Sequence, residues 1–158
     1  MIQIQALAGS HDRQGFDCGR QSLNDWLRQM ARQHQDKGLS KSFVAVQPEL
    51  PNRICGFFAL TLAELDSHNL PPAARKKMPS RIAGVRLARL AIDTAFQGKG
   101  LGELLLMDAM ARARRIFVEA GGIGLFVDAL DEQAAGFYGR YGFTATPSRP
   151  LLLFLPLQ

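Results

Sequence analysis

Residues 87–106, LARLAIDTAFQGKGLGELLL, carry the pattern with the most chemical content in the chain. An apolar run ending in LAID meets Gly98, Gly100 and Gly102, and helical apolar spacing begins at Leu101. Glycines let the backbone turn tightly and let successive N–H groups converge on an anion; a helix N-terminus adds about half a positive charge at the same point. The turn is therefore a phosphate site in type. Two familiar phosphate loops do not fit it. A nucleotide-hydrolase loop needs Gly-Lys followed by Ser or Thr, whereas Lys99 is followed by Gly100 and Leu101, with no hydroxyl for magnesium. A dinucleotide fingerprint needs G-x-G-x-x-G early in a βαβ unit, and these glycines read G-x-G-x-G late in the chain. What remains is Q-x-x-G-x-G, from Gln97, Gly100 and Gly102. Standing alone, GKGLG would serve equally well as a turn whose glycines only relieve backbone strain.

A second group of reactive types stands in AAGFYGRYGF, from Ala134 to Phe143. Tyr138 and Tyr141 are phenols able to give a proton, and three positions apart they share a face if the helix runs through both. His11, His34 and His68 lie among polar residues, read as solvated, and form no evident pair with a carboxylate that would mark a general base. Cys18 and Cys55 have neither metal-ligand spacing nor a disulfide framework and read as reduced thiols; no metal site is expected.

The elements around these residues follow from periodicity. Ile2 to Leu7 suggests a first strand. A helix with Ser22 as N-cap and Leu23, Trp26, Leu27 and Met30 on one face should run to about Gln35, with Lys37 and Gly38 breaking it. Ser42 to Val46 and Ile54 to Leu62 read as an antiparallel hairpin, and Asn69 to Ser80 as a short helix or loop. Val85 to Asp93 is a strand; Leu101 to Ala120 is a helix facing inward with Leu101, Leu104, Leu105, Ala109, Ile116 and Phe117, stopped by Gly121 and Gly122. Gly124 to Asp128 gives a strand, Glu132 to Tyr141 a helix, and the Phe143 and Leu151 to Leu155 regions the last strands. The order implies a mixed sheet flanked by helices in a single domain over residues 1–158.

With strand, Q-x-x-G-x-G turn, helix and the later FYGRYGF segment in that order, the chain resembles the GNAT superfamily of N-acetyltransferases. The resemblance implies an α/β fold with a mostly antiparallel central sheet and helices on both faces, and acetyl-coenzyme A as cosubstrate. It implies that backbone groups near Leu90, Ala91 and Ile92 hold the pantetheine arm, that Gln97, Gly98, Lys99, Gly100, Leu101 and Gly102 hold the phosphates, and that Phe137 packs against the arm. It also gives Tyr138, four residues before Gly142-Phe143, the role of proton donor to the leaving sulfur, with an N–H near Ala91 for the oxyanion.

A narrower resemblance rests on Phe16-x-Cys18-Gly19, Leu23-Asn24-x-x-Leu27, Phe43 to Val46, Gly56-Phe57-Phe58-Ala59-Leu60 and Leu87 to Asp108. In these the chain is similar to toxin acetyltransferases of bacterial toxin–antitoxin pairs, which modify the amino group of aminoacyl-tRNA. It implies a ribbon-helix-helix antitoxin and a homodimer. Asp66 to Gly84 varies among such proteins, which leaves the amino acid and the tRNA open. The physics agrees in two respects. An α-amine, with a pKa of ~7.7–8.0, is partly neutral near pH 7 without a base, whereas lysine at ~10.4 is not. The cations Arg75, Lys76, Lys77, Arg81, Arg86 and Arg89, with Lys37 and Lys41, could meet RNA phosphates. Two readings compete: acetylation of a protein N-terminus or small amine, and a noncatalytic coenzyme-binding regulator.

Composition frames all of this. A net charge of +5 favours polyanionic partners, and 47% hydrophobic residues suits a globular chain. The start MIQIQALAGS does not look like a secretion signal, and no apolar run approaches the ~20 residues of a membrane span, so a cytoplasmic protein is expected.

Overall fold

Short apolar runs bounded by turn residues become strands when both of their faces can be covered. In the computed structural model, which describes residues 1–157, seven strands form one sheet in the order β1-β2-β3-β4-β5-β7-β6. They are β1 (Gln3–Ala6), β2 (Lys41–Val46), β3 (Gly56–Asp66), β4 (Arg81–Ile92), β5 (Gly124–Asp128), β6 (Thr144–Ala145) and β7 (Leu152–Pro156). β1–β2, β2–β3, β5–β7 and β6–β7 pair antiparallel, and β4–β5 is parallel. The helices are α1 (Gln21–Gln29), α2 (Ala31–Asp36), α3 (Pro72–Arg75), α4 (Leu101–Ala120) and α5 (Glu132–Gly139). The chain divides into two compact units, one of Met1–Thr61 with Ala88–Ala109, the other of Leu62–Leu87 with the chain from Met110 onward.

In the first unit, alternate residues of β2 and β3 serve opposite faces. Val44, Val46, Phe57 and Ala59 join Trp26 and Leu27 of α1 and Ala31 of α2 in one core. The Trp26 and Phe57 rings stack with centroids 6.1 Å apart, and Phe16 meets Phe57 edge-on at 5.4 Å. Ala45, Phe58 and Leu60, on the alternate positions, are also buried. On that side Gly56 is required by close approach: a Cβ there would stand 2.9 Å from both Leu105 of α4 and Ile92 of β4. Helices thus cover both faces, as expected.

Three expectations are corrected in this unit. The helix foreseen from Ser22 to Gln35 is broken at Met30, and Arg20, without a side-chain cap, occupies the N-cap place given to Ser22. The entry is secured from within the first turns instead, where Asn24 Oδ1 accepts from the Cys18 amide at 2.9 Å and its Nδ2 donates to Asp17 Oδ1 at 2.9 Å. His11 is buried rather than solvated: Nδ1 accepts from the Ala8 amide at 3.0 Å, and Nε2 lies 3.2 Å from Gln5 Oε1. Leu104, expected on the inward face of α4, is 43% exposed, while Leu105, Leu106 and Ala109 are buried.

In the second unit, the rings of Phe126 on β5 and Phe154 on β7 lie 5.0 Å apart and pack with Leu70, Ile82 and Leu152. The segment between β3 and β4 contains a 3₁₀ turn (Ser67–Asn69) and α3. The Asp131 carboxylate caps α5 by accepting from the Ala134 amide at 2.9 Å. Among the described residues, no helix is long and apolar enough to cross a membrane.

Candidate active site

The turn after β4 is built by its glycines and held from below. Gly98 and Gly100 have φ of +75° and +81°, in the left-handed region, and a Cβ at either would have no heavy atom within 4 Å. Conformation, not crowding, therefore demands glycine here, and the space in front of the turn is open. The Leu104 amide bonds the Gly100 carbonyl at 3.2 Å, so Gly100 is the residue from which α4 starts. Leu101 and Gly102 lie in its first turn, where N–H groups have no partner within the helix. An anion facing this turn would meet those groups and the positive end of a helix of 20 residues.

Gln97 serves the turn as a strut. Its side-chain Nε2 donates to the Ile92 carbonyl at 2.8 Å and to the Cys18 carbonyl at 3.0 Å. Sequence reasoning missed the next support. Asp93, buried at the end of β4, accepts from the Asp17 amide at 3.1 Å through Oδ2 and from the Ala95 amide at 2.9 Å through Oδ1. Thr94 in turn donates its amide to the Asp17 carbonyl at 2.9 Å. The amide of Gly19 and the side chain of Asn24 hold the Asp17 carboxyl below its usual pKa. The signal for Asp93 was present, an Asp two residues before Ala95 at the end of an apolar run, which is an Asx-turn pattern.

Charge near the turn comes from two side chains on one ring. The Lys99 ammonium lies 5.8 Å and the Arg53 guanidinium 5.0 Å from the Phe96 centroid. No sequence signal marked Arg53. Burial raises the pKa of both Cys18 and Cys55, so neither thiol is a ready nucleophile.

Leu90, Ala91 and Ile92 form the end of β4, where Ala91 is buried and its neighbours half-buried. The register explains why this stretch can offer its backbone. Among the described residues β4 pairs with β5 over Val85–Leu87, and five further residues of β4 continue to Ile92. A strand end without its neighbour has one row of main-chain groups for another extended chain.

In the second unit, Tyr138 is 6% exposed in the last turn of α5. Its ring meets Phe137 at 5.2 Å and Phe143 at 5.6 Å, while its hydroxyl makes no hydrogen bond among the described residues. Burial pushes the phenol pKa above its ordinary value, so the group keeps its proton at neutral pH. Tyr141 is corrected: α5 ends at Gly139, and Tyr141 sits in the following turn, its amide on the Tyr138 carbonyl at 2.9 Å, ahead of Gly142 with φ of +95°. The same-face argument for the two tyrosines therefore fails. Half-buried Phe137 lies between them, 5.2 Å from Tyr141, with Arg140 over its ring at 5.6 Å.

The cations named for RNA are not alike. Arg75, Lys76 and Lys77 are exposed on and after α3, with Lys77 at φ of +62°. Lys37 and Lys41 are exposed at the end of α2 and the start of β2. Arg81 pairs with Glu64 at 2.7 Å, Arg86 pairs with Asp128, and Arg89 stacks 4.8 Å over Trp26 while donating to the Ala88 carbonyl at 2.9 Å.

Comparison with known proteins agrees with this geometry. The GNAT acetyltransferase domain matches residues 38–145. A tRNA-acetylating toxin of Mycobacterium tuberculosis is 34% identical over 152 residues, 96% of this chain and 90% of that protein. The crystal structure of a tyrosine-to-phenylalanine mutant of KacT superposes with a TM-score of 0.93 at 33% identity, over 99% of this chain and 95% of that one. AtaT complexed with acetyl-methionyl-tRNAfMet gives a TM-score of 0.89 at 32% identity, over 99% and 95%. AtaTR has been solved with acetyl-coenzyme A, and an AtaT mutant toxin with the C-terminus of the antitoxin AtaR. With the domain match covering well over half its length, and the strand, turn and helix built as that fold requires, this chain belongs to the GNAT acetyltransferase family.

Proposed function

We propose that this chain, acting as one catalytic domain, transfers the acetyl group of acetyl-coenzyme A to the α-amine of aminoacyl-tRNA, and thereby blocks translation as the toxin of a type II toxin–antitoxin pair. One observation carries the reading. The Phe16–Asn24 segment, on which the resemblance to toxins rests, is hydrogen-bonded to the glycine turn through Asp17, Cys18, Asp93 and Gln97, so both motifs belong to one device. The 34% identity, over 96% of the chain, to a tRNA-acetylating toxin of M. tuberculosis supports tRNA as the molecule that is acetylated.

In this reading the amides of Gly98 to Gly102, with Lys99, hold the coenzyme phosphates, and the β4 end from Leu90 to Ile92 holds the pantetheine arm. Gln97 keeps the turn in shape. The amine attacks the thioester carbonyl, an N–H near Ala91 stabilises the oxygen as it gains charge, and the C–S bond breaks. Tyr138 hydrogen-bonds the departing sulfur and gives it a proton; the proton that the amine loses restores the phenol. No further base is required when the amine is an aminoacyl α-amine. Arg75, Lys76 and Lys77, with Lys37 and Lys41, supply long-range attraction for RNA. A ribbon-helix-helix antitoxin, a homodimer and a cytoplasmic setting complete the proposal.

The test is incubation with labelled acetyl-coenzyme A and charged total tRNA. Label is expected on the aminoacyl group, released as one or a few N-acetyl amino acids on mild base. Label found only on protein N-termini or free amines would overturn the assignment of the acceptor.

A further inference from the structure

Where the β4–β5 ladder ends, two arginines share one carboxylate. The last pair of the parallel ladder is Leu87 with Val127. Arg86 stands one residue before it on β4, and Asp128 one residue after it on β5. Arg86 Nη2 pairs with Asp128 Oδ2, and Arg149, from the β6–β7 connection, reaches Asp128 Oδ1 at 3.2 Å. All three remain open to solvent, with side chains 44%, 32% and 59% exposed. They line a cleft of about 260 Å³.

The other charges of the cleft are already engaged. Glu64 takes Arg81 at 2.7 Å, and Asp66 accepts from the amide of His68 at 2.9 Å and faces its ring Nδ1 at 2.8 Å. At the end of the ladder, two cations therefore face a single anion. Each guanidinium has five N–H donors in a planar fork suited to carboxylate or phosphate oxygens, and one carboxylate uses few of the ten. Arg149 is also well placed: its carbonyl accepts from Thr146 Oγ1 at 2.9 Å and from the Leu152 amide at 3.0 Å, which fixes the turn that carries it.

We infer that Arg86, Asp128 and Arg149 form a subsite for a phosphodiester of the acceptor's 3′-terminal nucleotides. The inference rests on the reading of aminoacyl-tRNA as substrate and assigns a part of its recognition. In an aminoacyl ester the α-carboxylate is gone, so the anions nearest the reacting amine are the phosphodiesters of the terminal nucleotides. Asp128 has two roles here: it aligns the guanidinium of Arg86 on β4 with that of Arg149 on the β6–β7 connection, and it lowers the local charge so that free anions do not bind tightly.

The experiment compares two acceptors carrying the same amine, aminoacyl-tRNA and aminoacyl-adenosine, the latter without phosphate. Arg149→Gln is expected to raise KM for aminoacyl-tRNA about 10-fold, with a smaller effect on kcat, and to reduce the log–log salt slope by about 0.7, one single-strand phosphate contact. KM for aminoacyl-adenosine should not rise with it. Arg86→Gln should act the same way, and Asp128→Asn should steepen the salt slope. An equal rise in KM for both acceptors, or an unchanged salt slope in both arginine variants, would overturn the subsite while leaving the acceptor assignment standing. Failure of the wild-type protein to acetylate any aminoacyl-tRNA while it acetylates other amines would instead remove the reading beneath it.

Discussion

Across 76 positions of sequence, the Asp93 carboxylate accepts the Asp17 amide hydrogen at 3.1 Å and so locks an N-terminal loop beneath the glycine turn. The carboxylate is buried, its two hydrogen bonds are part-buried, and it also accepts from the Ala95 amide, so removing it strands two donors at once. An unsatisfied buried donor costs about 1–3 kcal/mol. Asp93→Ala should therefore lower unfolding free energy by about that much in a urea titration. It should also weaken coenzyme A binding in calorimetry, because the turn loses its floor. Unchanged affinity in a protein that is less stable would separate the two roles and disprove the link.

Gly100 tests the turn directly. A side chain at φ of +81° costs about 1–2 kcal/mol for an ordinary L residue, and here no neighbouring atom crowds the added Cβ. Gly100→Val should thus leave the folded core intact by circular dichroism while weakening coenzyme A several-fold or more, since the new side chain occupies the open space in front of the amides. Wild-type affinity would mean that no ligand uses that space.

His11 makes stability depend on pH. Nδ1 accepts a backbone hydrogen bond, so the neutral ring carries its proton on Nε2, and burial lowers the pKa from 6.5. Between the lowered folded value and 6.5 the unfolded chain binds more protons. This group's contribution is thus fully present above pH 6.5 and declines as the pH falls toward the folded value. Urea midpoints of the wild type should drop more between pH 7.5 and 5.5 than those of His11→Gln. Parallel slopes in the two proteins would count against the assignment.

Local patterns were legible where one physical signal dominated. Helix α4 begins at Leu101 and ends at Ala120 as its apolar spacing and the Gly121-Gly122 stop require, and the hairpin of β2 and β3 follows from two apolar runs around a proline-rich turn. The loss of Ser22 as N-cap was not legible, because Asn24 secures the start of α1 through contacts to Asp17 and Cys18 that no local pattern encodes. His11 was misjudged for the same reason: its polar neighbours in sequence fold over it as Gln5 and the Ala8 amide. For the site, the glycine turn was visible and its supports were not. Gln97, which fits a phosphate motif, spends its side chain on two carbonyls, one of them 79 residues away.

Tyr138 permits a clean removal of one proton. Its ring contacts to Phe137 and Phe143 survive in Tyr138→Phe, and the lost hydroxyl has no protein partner among the described residues. Stability should change by less than about 0.5 kcal/mol, while kcat should fall roughly 10²–10⁴-fold, the usual worth of a general acid. Coenzyme affinity should hold, and Tyr141→Phe should have little effect on kcat. A Tyr138→Phe protein with normal turnover would exclude the phenol as proton donor.

The pH profile should show one limb where two are common. Burial raises the Tyr138 pKa above the ordinary phenol value of about 10, so the phenol stays protonated across the range in which the protein can be assayed. The rising limb then belongs to the acceptor: kcat/KM should increase with pH until the α-amine is neutral, near ~8, and remain level from there to about pH 9.5. If Tyr138 instead titrated like an exposed phenol, activity would begin to decline within that plateau. Rates with aminoacyl-adenosine, which avoids salt-dependent RNA binding, can decide this. A decline before pH 9.5 that disappears in Tyr138→Phe would show that the phenol loses its proton too easily, and would require a hydrogen-bonded or solvated hydroxyl in place of the buried one.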